Sequence, residues 1–248
     1  MKIRANPRLL CISLILLRVL RASVVNVFAA PALCLPTMLD AARITTLLQP
    51  FLPDVPPELA SQLQTYLDLL LRWNARINLT GVRDPEQIVT RNFGESFFAA
   101  RVLRDAGAFA ASATLADIGS GAGFPGIPIQ LFAPELRVTL IESQNKKATF
   151  LREVVRALDL SHTVVHPGRA ENWPGQADVV TLRAVEKFAA VLPVASGLVT
   201  PGGKLCLLVG EGQAAVARSL LGAGWRMADP IPTPLSDGRV VIVVYRLE

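Results

Sequence analysis

The segment Leu115-Ala116-Asp117-Ile118-Gly119-Ser120-Gly121-Ala122-Gly123-Phe124-Pro125-Gly126 constrains the fold of this chain more than any other. A short apolar run reads as a buried strand and empties into three alternate glycines. In doubly wound α/β folds ligands bind at the carboxyl ends of the strands, so a glycine loop placed there is suited to a cofactor. Glycine lets the backbone bend tightly and approach a ligand with no Cβ in the way. Pro125 can then open the next helix. A glycine-rich turn without a ligand is the plainer alternative, but it gives no reason for the aspartate buried in the strand.

The rest of the chain fits that start. After Thr114, short apolar runs at 115–118, 138–142, 163–165, 178–182, 204–209 and 240–245 alternate with helical patterns at 144–158, 185–198 and 213–221. Alternating β and α units of this length predict a parallel sheet with helices on both faces. Pro230, Pro232 and Pro234 leave little room for a helix before the last run, which predicts an antiparallel hairpin at the sheet edge. From 38 to 112 the pattern is helical. Pro56-Pro57-Glu58 suits a helix start, Leu63, Leu67, Leu70 and Leu71 share one apolar face, and 97–113 reads as a helix running into a linker. The expected division is therefore a leader at 1–37, a helical region at 38–112 and an α/β domain at 113–248.

The formal charge of +5 points to an acidic partner only until its distribution is seen. Residues 1–37 hold Lys2, Arg4, Arg8, Arg18 and Arg21 and no acidic residue, and without them the remaining Lys and Arg only match the 20 Asp and Glu. Any contact with nucleic acid must come from local patches. The leader resembles a secretory signal in its apolar run from Leu9 to Leu17, and an organellar transit peptide in its arginines. Met38-Leu39-Asp40 offers a third reading, a start of translation after it. Arg18 and Arg21 interrupt the stretch before it reaches membrane-spanning length. Cys11 and Cys34 lie in the leader, so Cys206 alone remains beyond it. One cysteine builds neither a disulfide framework nor a cysteine zinc site, which fits a cytoplasmic protein and no metal.

Two cofactor classes compete for the loop. Gly121-Ala122-Gly123-Phe124-Pro125-Gly126 satisfies the dinucleotide pattern G-x-G-x-x-G, and Glu142 follows about 20 residues later at the end of the next strand, where a ribose binder belongs. Both classes carry a ribose, so Glu142 does not separate them. Register does. The strand ends at Ile118, the loop begins at Gly119, and Phe124 then stands where a dinucleotide loop needs glycine. Asp117, two residues before the first glycine, matches D-x-G-x-G-x-G, the pattern of S-adenosylmethionine-dependent methyltransferases.

A more specific set of residues surrounds this core. Asp117 to Pro128 reads D-I-G-S-G-A-G-F-P-G-I-P; then come Glu142-Ser143, Lys146-Lys147, Phe150-Leu151, Arg169-Ala170-Glu171 and Arg183-Ala184, with Trp73-Asn74, Asn78-Leu79-Thr80 and Arg83-Asp84-Pro85 upstream. Together they resemble the small-subunit ribosomal RNA methyltransferase G family, also called glucose-inhibited division protein B, over essentially 38–248. The resemblance implies a Rossmann-like class I methyltransferase sheet with an N-terminal helical extension, methylating N7 of one guanine in bacterial 16S ribosomal RNA from S-adenosylmethionine. It implies that Gly119 and Phe124 line the cofactor, with Asp117, Gly121, Gly123 and Glu142 in the same site. Ala170 and Glu171 would flank the adenine and Arg183 would close the site. The family usually has histidine three residues before its acidic-Ser pair, whereas this chain has Asn92 before Glu95-Ser96.

The residues present suit that chemistry. Guanine N7 carries a lone pair and no proton, so methyl transfer needs alignment and desolvation and no obligatory general base. Cytosine C5 methylation would need a thiolate, and Cys206 sits inside a strand. The N/D-P-P-Y/F loop common for exocyclic amines is replaced by Thr181-Leu182-Arg183-Ala184. Arg76, Arg83, Arg91, Lys146 and Lys147 are candidates for RNA phosphate contacts, each with a solvated face or a structural ion pair as its plainer reading. Trp73 at a helix end more often packs in a core than stacks on a base. A methyltransferase of the same fold for a small molecule or protein, and a non-catalytic RNA-binding scaffold, are the alternatives.

Overall fold

The computed structural model describes residues 39–184 and 187–248. The expectations for the leader 1–37 and for a helix beginning at Val185 lie outside the described residues. Residues Leu39–Glu248 form one compact unit.

Helix α1 (Ala41–Leu48) begins behind Asp40, whose carboxylate accepts from the Arg43 amide. Helix α2 (Pro57–Asn74) begins on its proline and buries Leu63, Tyr66, Leu67 and Leu70 on one face. A helical turn at Pro85–Gln87 leads into a π-helical stretch, Ile88–Gly94, which runs directly into α3 (Glu95–Asp105). The strands and helices that follow are β1 (Thr114–Ile118), α4 (Gly126–Phe132), β2 (Arg137–Glu142), α5 (Asn145–Ala157), β3 (Thr163–Pro167), β4 (Ala177–Arg183), α6 (Phe188–Gly197), β5 (Val199–Gly210) and α7 (Glu211–Leu220). Strands β6 (Trp225–Met227), β7 (Ile231–Pro232) and β8 (Arg239–Arg246) close the chain.

The eight strands form one sheet in the order β3-β2-β1-β4-β5-β8-β6, with β7 paired to β8. The pairings among β1 to β5 are parallel, and β8 runs antiparallel to β5. The last strand is therefore antiparallel and, with β6 and β7, makes the antiparallel pairing expected at the sheet edge. It lies between β5 and β6, its residues Val240 to Val244 are buried, and the short β6 takes the edge. Pro230 precedes β7, Pro232 ends it and Pro234 lies in the turn after it, so the final strand is free to pair on both sides.

Strand alternation sends side chains to two cores. On one face Leu115, Val138, Leu140, Val179, Cys206 and Val243 pack with α2, the π-helical stretch, α3, α4 and α5. On the other Ala116, Ile118, Ile141, Val180, Leu182, Leu207 and Ile242 pack with α6 and α7. The helices before β1 thus share a core with the sheet. An aromatic cluster ties them to the glycine loop: Tyr66 stacks on Phe124 at 5.5 Å, and Phe93 meets both rings edge-on at 5.0 and 5.1 Å. The strand order reverses between β1 and β4, and that crevice is where an open α/β sheet binds ligands.

Candidate active site

The loop after β1 is held from below. The amides of Gly119 and Ser120 donate to the Ile141 carbonyl at 2.9 and 3.1 Å, binding the loop to the end of β2. Asp117 pairs across the strands with Thr181, whose hydroxyl donates to Oδ1 at 2.7 Å, while the Gly126 amide donates to Oδ2 at 3.1 Å. One carboxylate therefore fixes β4 and the first turn of α4. A Cβ on Gly126 would stand 2.8 Å from that carboxylate, which is why glycine occupies the position.

Above the loop lies a cleft of about 600 Å3, within the range of small-molecule and cofactor sites. Gly119, Gly121, Glu142, Ala170, Glu171 and Arg183 line it, so six of the nine expected cofactor residues meet in one cleft. The other three do not line it. Asp117 is fully buried beneath the loop. Gly123 and Phe124 face the helical layer, because any Cβ at Gly123 would run into the Tyr66 hydroxyl and Ile127. Among the RNA candidates, Lys147 lines the cleft and Arg76, Arg83, Arg91 and Lys146 are exposed. Arg83 is partly committed, donating to the Asn74 carbonyl at 2.8 Å.

The residues of the cleft fit a nucleoside-bearing cofactor. Glu142 is buried at the end of β2 and accepts from the amides of Gly121 at 2.9 Å and Gln144 at 2.7 Å. Each oxygen keeps lone-pair capacity for a ribose hydroxyl. Gly119 and Gly121 have φ of +67 and +56°, and no atom of the protein stands within 4 Å of a Cβ built on Gly119. Ile118, Ile141 and Ala170 supply an apolar wall for a base.

The family model described as rRNA small subunit methyltransferase G matches residues 59–219. The ribosomal RNA small subunit methyltransferase G of Xanthomonas campestris pv. campestris (strain B100) is 40% identical over 76% of this chain and 88% of that protein. The chain belongs to this family. The relative of the same name from Stenotrophomonas maltophilia (strain K279a) is 41% identical over 72% of this chain and 80% of its own length. Among solved structures, a ribosomal protein L11 methylase from Lactobacillus delbrueckii subsp. bulgaricus aligns with TM-score 0.53 at 12% identity, covering 68% of this chain and 81% of that one, and shares the fold.

Membership in the rRNA small subunit methyltransferase G family gives the quoted motifs a setting. Asn74 of the Trp-Asn pair is a buried clamp: its amide oxygen accepts from the Leu79 and Thr80 amides at 2.9 and 3.1 Å, and its nitrogen donates to the Thr80 carbonyl. Trp73 packs edge-on against Phe150 at 5.8 Å and donates to Glu153 at 2.9 Å, joining α2 to α5 rather than offering a stacking platform. Where the family usually has histidine, Asn92 is buried on the π-helical stretch beside Glu95. Burial pushes the Cys206 thiol up to about 12, so it stays protonated and inert. Neither His162 nor His166 lines the cleft, and His162 is exposed with its ring on the Pro134 carbonyl at 3.1 Å. Among the described residues no group of His, Cys, Asp and Glu is arranged to hold a metal, and no helix is long and apolar enough to cross a membrane.

Two site residues carry no sequence signal of their own. Tyr66 sits among the leucines of α2, where a buried phenol demands a partner, and its hydroxyl donates to the Ala122 carbonyl in the glycine loop. Arg239 opens β8 and reaches Glu95 from the far side.

Burial raises the Asp117 carboxyl from 3.8 to about 6, against the opposing pull of Thr181 and Gly126. The folded state therefore favours the protonated acid. Its contribution to stability is full below the unfolded value near 4 and is lost as pH rises through about 6, a change of about 3 kcal/mol. In Asp117→Asn, the Thr181 hydroxyl can turn to accept from the new amide. Urea unfolding across this range should show the variant gaining about 3 kcal/mol on the native chain as pH rises. Parallel curves would show that Asp117 ionises in the fold without cost.

Proposed function

We propose that this chain transfers the methyl group of S-adenosylmethionine to N7 of a guanine in 16S ribosomal RNA, acting on the small ribosomal subunit or its RNA in the cytoplasm. The observation that carries the reading is the placement of Glu142 beside the open backbone of Gly119 and Gly121, in a cleft that Arg183 also lines. Family membership supports the ribosomal substrate, since the relatives bear that name.

When bound, S-adenosylmethionine supplies an electrophilic methyl group on a sulfonium. The protein contributes position. Glu142 accepts the ribose hydroxyls, the glycine backbone allows close approach, and Ala170 and Glu171 bracket the adenine. Guanine N7 presents its lone pair without a proton to remove, so no side chain need act as a base. Alignment and exclusion of water from the crevice supply the rate. Arg76, Arg83, Arg91, Lys146 and Lys147 supply the phosphate contacts that position the RNA.

Loss of the gene should remove one N7-methylguanine from 16S ribosomal RNA, and the purified chain should restore it with labelled S-adenosylmethionine. A mark that persists in the deleted strain, with no transfer by the pure protein, would overturn the reading.

A further inference from the structure

Asn92 Oδ1, Glu95 Oε1 and Arg183 Nε are buried without a hydrogen-bond partner. Such atoms are rare in folded proteins, and each calls for an explanation. These three lie together. Asn92 lies three residues before Glu95, where the π-helical stretch passes into α3, and follows Arg91, whose carbonyl Arg183 holds. Glu95 Oε2 is held by Nη2 of Arg183 and by Nη2 of Arg239, each at 3.1 Å. Arg183 Nη2 also donates to the Arg91 carbonyl at 2.8 Å, and its guanidinium lies 5.8 Å over the Phe124 ring. Two cations thus fix one oxygen of Glu95 and leave the other with nothing to accept. The cluster borders the cofactor cleft, because Arg183 belongs to both.

Two acceptors and one donor are the complement of one nucleobase edge. Guanine presents the N1–H and the exocyclic amino group as donors, with O6 as the adjacent acceptor. Adenine presents a single donor group beside the bare N1, and cytosine an amino group beside the bare N3. In both, the ring nitrogen beside the amino group is itself an acceptor and would meet the Glu95 carboxylate lone pair to lone pair. Around the guanine perimeter the order is amino group, N1, O6, N7. A base gripped through N1 by Glu95 can satisfy the Arg183 donor only with O6, and N7 then follows O6 on the side of Arg183, which lines the cleft.

We propose that Glu95, clamped by Arg183 and Arg239, reads the target base. Glu95 Oε1 accepts from guanine N1–H and the amino group, Asn92 Oδ1 accepts the second amino hydrogen, and Arg183 Nε donates to O6. The inference rests on the guanine-N7 reading above. The target base must leave its stack to reach this cluster, as in other enzymes that act on bases. Entry requires the Arg183 side chain, 11% exposed, to turn on its aliphatic stem and release the Arg91 carbonyl.

The test compares small subunits reconstituted with guanosine or with inosine at the target position. Inosine keeps N7, O6 and N1–H and lacks only the amino group. The native protein should lose about 10- to 100-fold in kcat/KM on inosine, because Asn92 Oδ1 stays buried and unpaired and Glu95 Oε1 keeps only the N1–H bond. In Glu95→Gln the two arginines hold the amide oxygen, so the amide nitrogen faces the guanine donors. This variant should be about 100-fold slower on guanosine and should discriminate the two bases by less than about threefold. Its affinity for S-adenosylhomocysteine should stay within about threefold of native, a readout that general structural damage would move. Glu95→Asp, which keeps the charge but withdraws it, should lose discrimination likewise and serves if the glutamine variant does not fold. Equal rates of the native protein on guanosine and inosine would overturn the proposal while leaving the methyltransferase reading intact, as would full discrimination by either variant. No transfer to guanosine by the native protein would overturn both.

Discussion

Replacing Glu142 by alanine should lower the affinity for S-adenosylhomocysteine by at least about 100-fold while leaving the chain folded. The magnitude follows from what the carboxylate can do. Hydrogen bonds to a charged group contribute about 1.5–3 kcal/mol each, and a ribose offers two hydroxyls, so the loss is about 3–6 kcal/mol, tenfold for each 1.4. The cost to the fold is smaller. The Gly121 and Gln144 amides lose their acceptor, but both residues line the cleft, where water can replace it. Glu142→Gln should fall between, since it keeps an acceptor and loses the charge. Titration calorimetry on the three proteins, with thermal melts as the control for folding, measures both terms. An alanine variant that binds within tenfold of native would mean that no ribose sits at the end of β2.

The site was legible in sequence where it depends on local pattern. Glu142 could be placed because it ends a buried apolar strand, and Gly119 and Gly121 because strand and loop are contiguous. The parallel strands are visible for the same reason: a strand covered on both faces is a short apolar run between helical stretches. Asp117 marks where that reasoning stops. Its position in the motif associates it with the cofactor, and only the pleat of β1 shows that its side chain turns under the loop to meet Thr181 and Gly126. Phe124 is similar. It follows the glycines directly, yet Tyr66 and Phe93 hold it against the helical layer.

What sequence could not supply is pairing across long separations. Glu95, Arg183 and Arg239 come from α3, β4 and β8, and no periodicity links them. They meet because β8 inserts beside β5, with Arg239 opposite Gly210 at the carboxyl end of the parallel strands. The antiparallel hairpin at the sheet edge is predictable from the prolines, but no local pattern places Arg239 against Glu95. The π-helical stretch is equally silent in sequence. Such stretches often occur at functional sites, and here one brings the Arg91 carbonyl to Arg183, which lines the cleft, and leads the chain into Glu95.

The coupling between the helical layer and the cofactor loop gives the second large effect, expected on replacing Gly123 by valine. Gly123 has φ of +91°, a conformation that a β-branched residue resists. The strain of left-handed backbone is about 1–2 kcal/mol. The new Cβ would also stand 2.6 Å from Ile127 Cδ1 and run into the Tyr66 hydroxyl. Tyr66 cannot yield, because it is fully buried, stacked on Phe124 and bonded to the Ala122 carbonyl. Overpacking of this kind adds about 1–3 kcal/mol for ordinary insertions and more where the neighbour is fixed. A loss of about 4 kcal/mol should lower Tm by about 10 °C or more in a chain of this size. Tyr66→Phe removes the atom nearest the new side chain. In the cycle of Gly123→Ala with Tyr66→Phe, the double variant should therefore be more stable than the sum of the single losses predicts, by about 1 kcal/mol. Additive losses would mean that Tyr66 does not press on the loop.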